Sequence, residues 1–238
     1  MIARLQDAFD RQNTFVSNAS HELRTPIAVI QGYAGMLTRW GRNRKDILEE
    51  SVDAIVSETE GMTRLVQSLL LLAKCDHDLQ PKLQTFPLDE LIAEVARESR
   101  LLAPDRLIDN HHNDPTLIQA DRNMIKQMLR ALIDNSINFT PSNGMINIDL
   151  TNDQDRAAIA IKDTGAGIPS NELDYIFDRF YCVDKARTKE NGGCGLGLAI
   201  VKNIIDLHNG KISVESEPGR GTAFTVTLPL NSPDPPSL

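Results

Sequence analysis

The first 75 residues carry apolar side chains at seven-residue intervals, and this repeat strongly constrains what the chain can fold into. One run occupies residues 9, 16, 23, 30 and 37, and after a polar interruption at 41–44 a second run occupies residues 48, 55, 62 and 69. This spacing predicts two helices of about 30 residues, joined by a short turn into a hairpin. The hairpin leaves an apolar seam along the repeat. Packing of two copies as a four-helix bundle would cover it, so the sequence predicts a homodimer.

A histidine and a glutamate lie side by side within the first predicted helix, in the stretch SNASHELRTP. With Val16 and Leu23 on the seam, His21 falls on the outer face of the helix. Pro26 falls on the seam side, where its ring and missing N–H are expected to bend the helix near the histidine. A solvated surface histidine accounts for this pattern, and composition and periodicity alone give no reason to prefer a catalytic one.

The periodicity changes after residue 76. Residues 77–87 are polar and punctuated by proline, which predicts a linker. Alternating runs predict strands at 145–151, 157–163, 211–217 and 222–229, and helical spacing predicts helices at 88–101, 121–139 and 196–208. Strands and helices mixed in this way predict an α/β layer structure with helices on one face of a sheet.

Four regions follow from these changes in pattern. They are a hairpin domain at 1–76, the linker at 77–87, an α/β domain at 88–231 and a proline-rich, disordered tail at 232–238.

The overall charge and the apolar content exclude several classes of partner. A net charge of −8 argues against nucleic acid, because phosphate binding needs a surplus of lysine and arginine. Three irregularly spaced cysteines indicate a reducing, cytoplasmic setting. The sequence contains neither a signal peptide nor a run of about 18 apolar residues, so we expect no membrane contact from this chain. It is compatible with the cytoplasmic portion of a longer membrane sensor.

Two glycine clusters mark the second half of the chain, DTGAGIP at 163–169 and GGCGLGLAIVKN at 192–203. Glycines let the backbone approach a ligand, and a helix N-terminus offers N–H groups to phosphate, although such clusters are also common in plain turns. The second cluster does not follow a strand, and the pattern GxxxxGK[ST] is absent. A phosphate ligand is therefore plausible here, but bound neither as in dinucleotide-binding folds nor as in P-loop proteins.

Asn135 and Asn138 share one face of the predicted helix at 121–139, beside its apolar stripe. An amide oxygen can coordinate Mg²⁺ that is held by phosphates. Polar, exposed positions near a helix end explain the two asparagines equally well.

Five segments in chain order join these features: FVSNASHELRTPIAVIQGY, LIDNSINFTP, DTGAGIP, IFDRFYCVD and GGCGLGLAIVK. Together they resemble the H, N, G1, F and G2 boxes of two-component sensor histidine kinases, over about residues 9–230. The resemblance implies a dimeric helical hairpin that carries a phosphoacceptor histidine. An α/β sandwich domain of the gyrase and heat-shock chaperone ATPase superfamily would follow it and bind ATP and Mg²⁺.

The resemblance also implies an activity. The chain would be a protein histidine kinase that autophosphorylates His21 and passes the phosphoryl group to an aspartate of a response-regulator receiver domain. Glu22 would accept the Nδ1 proton of His21 or hold its tautomer. Thr25 would orient water for dephosphorylation of the regulator, which makes the protein a phosphatase as well.

In the second domain, the resemblance implies that Asp163 accepts the adenine amino group and that Asn135 holds Mg²⁺. Glycines would shape the adenine pocket and present N–H groups to phosphates, and Arg179 and Lys185 would supply positive charge. The remaining ATP-binding residues implied are Asn138, Gly165, Gly167, Ile168, Gly193, Gly195, Leu196, Gly197 and Leu198.

The chain departs from the family's usual pattern at four positions. Ala131 replaces a frequent asparagine, Asn138 a frequent lysine, Cys182 a basic residue and Cys194 a frequent threonine. A plain ATPase of the superfamily needs a hydrolytic glutamate at position 131, where alanine cannot serve. The alternative that stays open is a catalytically weakened kinase that acts mainly as a regulator phosphatase or scaffold.

Overall fold

A computed structural model describes residues 2–40, 44–75, 79–183 and 194–231. The chain divides into two compact units, Met1–Ala73 and Lys74–Leu238. None of the helices in these ranges combines the length and the apolar composition that crossing a bilayer would require. The predicted tail at 232–238 lies outside the described residues.

The first unit is the predicted helical hairpin. Helix α1 spans Ile2–Trp40 and continues through Pro26, and helix α2 spans Lys45–Cys75. Leu65 and Leu72 are the buried apolar side chains among the described residues of this unit. Other members of the repeat remain solvent-exposed, including Val16 at 57%. A single copy of the hairpin therefore leaves much of its apolar seam in water.

The second unit is an α/β layer structure. Its helices are α3 (Leu88–Leu102), α4 (Arg122–Phe139) and α5 (Gly197–Leu207). Its strands are β1 (Gln84–Pro87), β2 (Leu107–Asp109), β3 (Leu117–Ala120), β4 (Met145–Asn152), β5 (Arg156–Asp163), β6 (Lys211–Glu217) and β7 (Gly221–Pro229). Five strands form a sheet in the order β2-β4-β5-β7-β6, in which β2 pairs parallel with β4 and the other neighbours pair antiparallel.

The core lies between one face of this sheet and the helices, as the alternation predicts. Ile148, Ile161 and Phe224 stand opposite one another on adjacent strands and are all buried. Helix α4 contributes a buried stripe that includes Leu129 and Leu132, and α5 contributes another. The four predicted strands and three predicted helices are confirmed to within one residue at most ends.

The sequence analysis missed three short strands. Residues 84–87, which it assigned to the linker, form β1, and β1 pairs antiparallel with β3. Assigning them to the linker was therefore wrong. The reason is length: strands of three or four residues such as β2 and β3 offer one or two inward positions, too few to show alternation.

The N-terminus of α4 is fixed by a buried junction. Asp121 caps the helix by accepting hydrogen bonds from the N–H groups of Asn123 and Met124, and it also accepts one from the N–H of Lys82 at 2.9 Å. Its own N–H donates to Nε2 of His208 at 3.0 Å. The linker, α4 and the residue that follows α5 thus meet at Asp121, the first two through its carboxylate and the last through its backbone N–H.

Candidate functional site

A buried carboxylate lies where β5 ends. Asp163 continues the inward-facing set Ala157, Ile159 and Ile161 of this strand, and it is only 2% exposed. Its Oδ1 accepts hydrogen bonds from the N–H of Gly165 at 2.8 Å and the N–H of Thr222 at 3.2 Å. An acid therefore stands where the alternation would place an apolar side chain.

A third donor and the electrostatics complete this environment. The hydroxyl of Ser136 donates to Oδ2 of Asp163 at 3.3 Å. Burial raises the pKa of Asp163, while the Gly165 and Thr222 N–H groups and the Ser136 hydroxyl oppose that shift. The carboxylate is thus held in a fixed orientation, and Oδ2 accepts fewer of these hydrogen bonds than Oδ1.

Glycine is required in the loop that follows Asp163. A Cβ on Gly165 would lie 2.6 Å from the carbonyl oxygen of Phe139, and one on Gly167 would lie 2.1 Å from the carbonyl oxygen of Glu217. Gly167 also has a φ of +71°. The N–H of Ile168, a half-buried residue, donates to the Ser216 hydroxyl at 2.8 Å. The loop is therefore packed between the end of α4 and the turn between β6 and β7.

The last turns of α4 bring the asparagines to the same region. Ser136 belongs to the buried stripe of the helix, and its bond to Asp163 places this turn beside the carboxylate. Asn135 and Asn138 are half-buried at the edge of the stripe, as is Ala131 one turn earlier. The amide oxygen of Asn135 is a suitable ligand for a hard cation such as Mg²⁺.

The N-terminus of α5 forms the other part of the site. Gly195 has a φ of +66°, and a Cβ there would contact the backbone of Phe180 and Tyr181 at 2.8 Å. Leu196, the buried N-cap residue, makes no side-chain capping bond. A Cβ on Gly197 would meet no atom within 4 Å, while Leu198 is half-buried. Backbone N–H groups beside open space can bind an anion.

The structure does not describe every predicted site residue. Lys185 and Gly193 lie outside the described residues. Arg179 is described and half-buried. The family resemblance also implies a lid at 175–191, and this segment is described only as far as residue 183.

The predicted phosphoacceptor group lies on the outer surface of α1. His21 and Thr25 are solvent-exposed and lie one helical turn apart, and Glu22 is half-buried. The exposure predicted for His21 from its heptad position is confirmed. A side chain presented in this way is accessible to a reactant from outside the hairpin.

Sequence reasoning missed Ser136 and Thr222, both of which bond to Asp163. For Ser136 a signal was available, because its hydroxyl takes a position that continues an apolar stripe. Thr222 donates its backbone N–H, which no side-chain pattern reports, although its side chain also lies at a core position. Ser136 follows Leu132 by four residues on α4, and Thr222 precedes Phe224 by two on β7. Three polar residues that take core positions, Asp163 included, mark the site.

An ATPase-like α/β unit and a helical hairpin with an exposed histidine define a class of protein, and comparison with known families identifies it. Residues 120–232 match the family described as histidine kinase-, DNA gyrase B- and HSP90-like ATPase. Residues 11–78 match the His Kinase A (phospho-acceptor) domain. The first of the five boxes falls within the phospho-acceptor match, and the other four fall within the ATPase match.

Two curated relatives agree with this assignment. The chain is 37% identical to the sensor histidine kinase YkoH of Bacillus subtilis over 95% of its length. It is 36% identical to the signal transduction histidine-protein kinase ArlS of Staphylococcus aureus, again over 95%. The matches cover 49% and 51% of those proteins, so the chain spans about half the length of the curated relatives it matches.

A solved structure of histidine kinase ThkA in complex with response regulator protein TrrA superposes with a TM-score of 0.74. It is 26% identical to this chain, and the match covers 94% of this chain and 64% of that one. The chain belongs to the two-component sensor histidine kinases.

Proposed function

We propose that the chain is an ATP-dependent protein histidine kinase that phosphorylates itself on His21 and then transfers the phosphoryl group to an aspartate of a response-regulator receiver domain. The observation that carries the proposal is the presence, in one chain, of an exposed His21 followed by Glu22 on a helical hairpin and a buried, hydrogen-bonded Asp163 in an ATPase-type unit. The solved complex of ThkA with its response regulator supports the choice of partner.

The chemistry at His21 is a nucleophilic phosphoryl transfer. A neutral imidazole attacks the γ-phosphorus through Nε2, and the bond from that phosphorus to the bridging oxygen of ADP breaks. The proton on Nδ1 then has to be held or removed, and Glu22, the next residue on α1, is the base we assign to it. Because phosphoryl transfer demands little covalent chemistry from the protein, positioning is its main task.

The α/β unit fits ATP at both ends of the nucleotide. Oδ2 of Asp163 is the acceptor we assign to the adenine amino group, and the loop at Gly165 and Gly167 leaves no room for side chains other than hydrogen. The N–H groups around Gly195 and Gly197 are assigned to the phosphates. Together these residues account for recognition of both the base and the charged end.

Asn135 is the residue we assign to Mg²⁺. The ion, when bound, neutralises charge on the phosphates, and a single amide ligand is sufficient where phosphates and water supply the rest. We also assign the protein to the cytoplasm, where this substrate is available.

We propose a second activity at the same histidine site. Thr25 lies one turn after His21 on the exposed face of α1. Its hydroxyl can donate and accept hydrogen bonds, which suits it to orient a water molecule toward a phosphorylated partner. The protein would then remove phosphate from the regulator that it phosphorylates.

We propose that two hairpins pair as a four-helix bundle. The exposed apolar side chains of α2 include Leu48, Val52, Val56, Val66 and Leu70. Burying such side chains stabilises an assembly by about 25 cal/mol for each square ångström removed from water. The homodimer is therefore the state in which the repeat is satisfied.

Incubation with Mg²⁺ and γ-labelled ATP, followed by acid and alkali treatment, tests the proposal. We expect label that is lost in acid and kept in alkali, the behaviour of a phosphohistidine. A labelled product that survives acid contradicts a histidine acceptor. Clear ATP binding without any label favours the alternative, a weakened kinase acting as phosphatase or scaffold, in which Ala131, Asn138 and Cys182 limit the chemistry.

A further inference from the structure

Two cysteines lie beside the N-terminus of α5. Cys182 and Cys194 are both thiols and both half-buried. The backbone segments that carry them run side by side, because the N–H of Phe180 donates to the carbonyl of Gly195 at 2.8 Å. Cys182 and Cys194, twelve positions apart in the sequence, thus lie on backbone segments that meet at this point.

The sulfur of Cys182 is directed toward the residue next to Cys194. It lies 2.9 Å from the position that a Cβ would take on Gly195. Since consecutive Cα atoms are about 3.8 Å apart, this sulfur is within about 8 Å of the Cα of Cys194. A disulfide needs Cα atoms separated by roughly 4.4–6.8 Å. Closing the bond therefore requires the sulfur of Cys182 to turn away from Gly195 and the two backbone segments to approach each other.

We propose that Cys182 and Cys194 form a thiol–disulfide pair, and that its oxidation by a hydroperoxide weakens nucleotide binding at the N-terminus of α5. The consequence for the nucleotide rests on the function proposed above. The bond itself does not, because it depends only on the two thiols and their separation.

The oxidation balances with a hydroperoxide as the electron acceptor. One thiolate attacks the terminal peroxide oxygen, the O–O bond breaks, and a sulfenic acid forms while an alcohol, or water from hydrogen peroxide, leaves. The second thiolate attacks the sulfenic sulfur and displaces water, which gives the S–S bond. Two thiols are oxidised and one peroxide is reduced, and a dithiol reductant reverses the change.

The bridge would act on nucleotide binding through Gly195. This residue has a φ of +66° and is enclosed by Phe180, Tyr181 and Cys182. In the reduced chain the sulfur of Cys182 lies against Gly195, and Cys194 is the residue before it. To bond to Cys194, the sulfur of Cys182 would have to move past the peptide bond between Cys194 and Gly195. The N–H groups assigned to the phosphates belong to this same turn, so the bridge displaces them from their binding orientation.

The test compares the reduced and peroxide-treated full chain. We expect hydrogen peroxide to lower the intact mass by about 2 Da, the two hydrogens lost on disulfide formation. A non-reducing digest should then contain a peptide that links Cys182 to Cys194. Titration with Mg²⁺ and ATP should show affinity about tenfold weaker for the oxidised chain, recovered on reduction.

Three single variants serve as controls. Cys182→Ser and Cys194→Ser should each abolish the linked peptide and the peroxide effect on ATP affinity, whereas Cys75→Ser should keep both. Linkage of either thiol to Cys75 or to a second copy, or conversion to sulfonic acids without a linked peptide, overturns the pair. A linked peptide with unchanged ATP affinity overturns its effect on nucleotide binding. Reduced chain that fails to bind ATP refutes the proposed function instead, and the linked peptide still decides the pair.

Discussion

The hairpin and the α/β unit bury their apolar side chains in different ways. In the α/β unit the sheet and three helices enclose residues such as Ile148, Leu132 and Phe224 within one chain. In the hairpin, Leu72 is buried, but Val16 and Val52 are 57% and 43% exposed. One unit completes its core alone, and the other leaves a seam for a second copy.

This difference separates the two halves of the proposed reaction. The α/β unit holds polar groups at core positions, where low exposure fixes their orientation, as Asp163 and Ser136 show. The hairpin presents His21 on an exposed helical face. A ligand site benefits from rigidity, whereas a group that must meet two different partners benefits from access. Substitutions in the two units should therefore have effects of different kinds.

The largest effect is expected for His21→Gln. Glutamine removes the nucleophile while keeping a polar, helix-compatible side chain, so autophosphorylation should be lost completely. ATP affinity and the free energy of unfolding should remain unchanged, because His21 is exposed. Label transfer from γ-labelled ATP measures autophosphorylation, and calorimetry measures ATP affinity and stability. Any acid-labile label on this variant would show that another residue is the acceptor.

Leu132→Ala should test the self-contained core. Leu132 is fully buried on α4, and removal of such a side chain costs about 2–5 kcal/mol of unfolding free energy. Urea unfolding should show the loss at every protein concentration. Val52→Ala is the matched change on the hairpin seam, and its effect should grow on dilution, because it weakens association. Equal, concentration-independent losses in both variants would contradict the comparison.

Asp163→Asn should weaken ATP binding by about 10- to 100-fold, since hydrogen bonds to a charged group contribute about 1.5–3 kcal/mol. The variant keeps the shape of the side chain and loses the charge. Calorimetric titration with Mg²⁺ and ATP measures the change. Asp149→Asn, on the half-buried opposite face of the sheet, is the control and should bind ATP normally. Unchanged affinity in Asp163→Asn would remove this residue from the adenine pocket.

Thr25→Ala should lower the rate of regulator dephosphorylation by up to about 100-fold, the loss that misplacement of a reactant can cause. Autophosphorylation should change much less, because Thr25 does not take part in attack on ATP. Both rates can be followed with a phosphorylated receiver domain and with labelled ATP. Ser20→Ala, on the same exposed stretch of α1, is the control. Equal loss of the two activities would exclude a phosphatase role.

The smallest expected effect is a pH dependence of stability in the α/β unit. His208 is 3% exposed, and burial lowers its pKa, although the Ile204 carbonyl and the Asp121 carboxylate oppose that shift. The unfolded chain therefore binds a proton more readily than the folded one below pH 6.5, so stability falls as pH drops from about 6.5 toward the folded pKa.

Urea unfolding at pH 7.5 and 5.5 measures this contribution. We expect the unaltered chain to be less stable at pH 5.5 than at pH 7.5, and this loss to be smaller in His208→Gln, which cannot take up the proton. His112→Gln changes an exposed histidine and should retain the full dependence. If the free energy of unfolding of His208→Gln changed with pH as much as that of the unaltered chain, the pH dependence would come from another group.

Long elements were predictable because many residues repeat the same signal. The heptads of α1 and α2 and the alternation of β4, β5, β6 and β7 each extend over several periods. Short elements were not, since β1 and β2 gain their structure from pairing with residues elsewhere in the chain. The family and its candidate residues were also readable, because the five boxes are contiguous segments.

The sequence by itself determined the division into two units, the outward direction of His21 and the set of residues that resemble a kinase site. Only the tertiary structure decided that Ser136 and Thr222 fix Asp163, and that Cys182 lies against Gly195. The physical reason is sequence separation. Periodicity reports which face of an element is buried, whereas a hydrogen bond between residues 27 or 59 positions apart depends on how those faces meet.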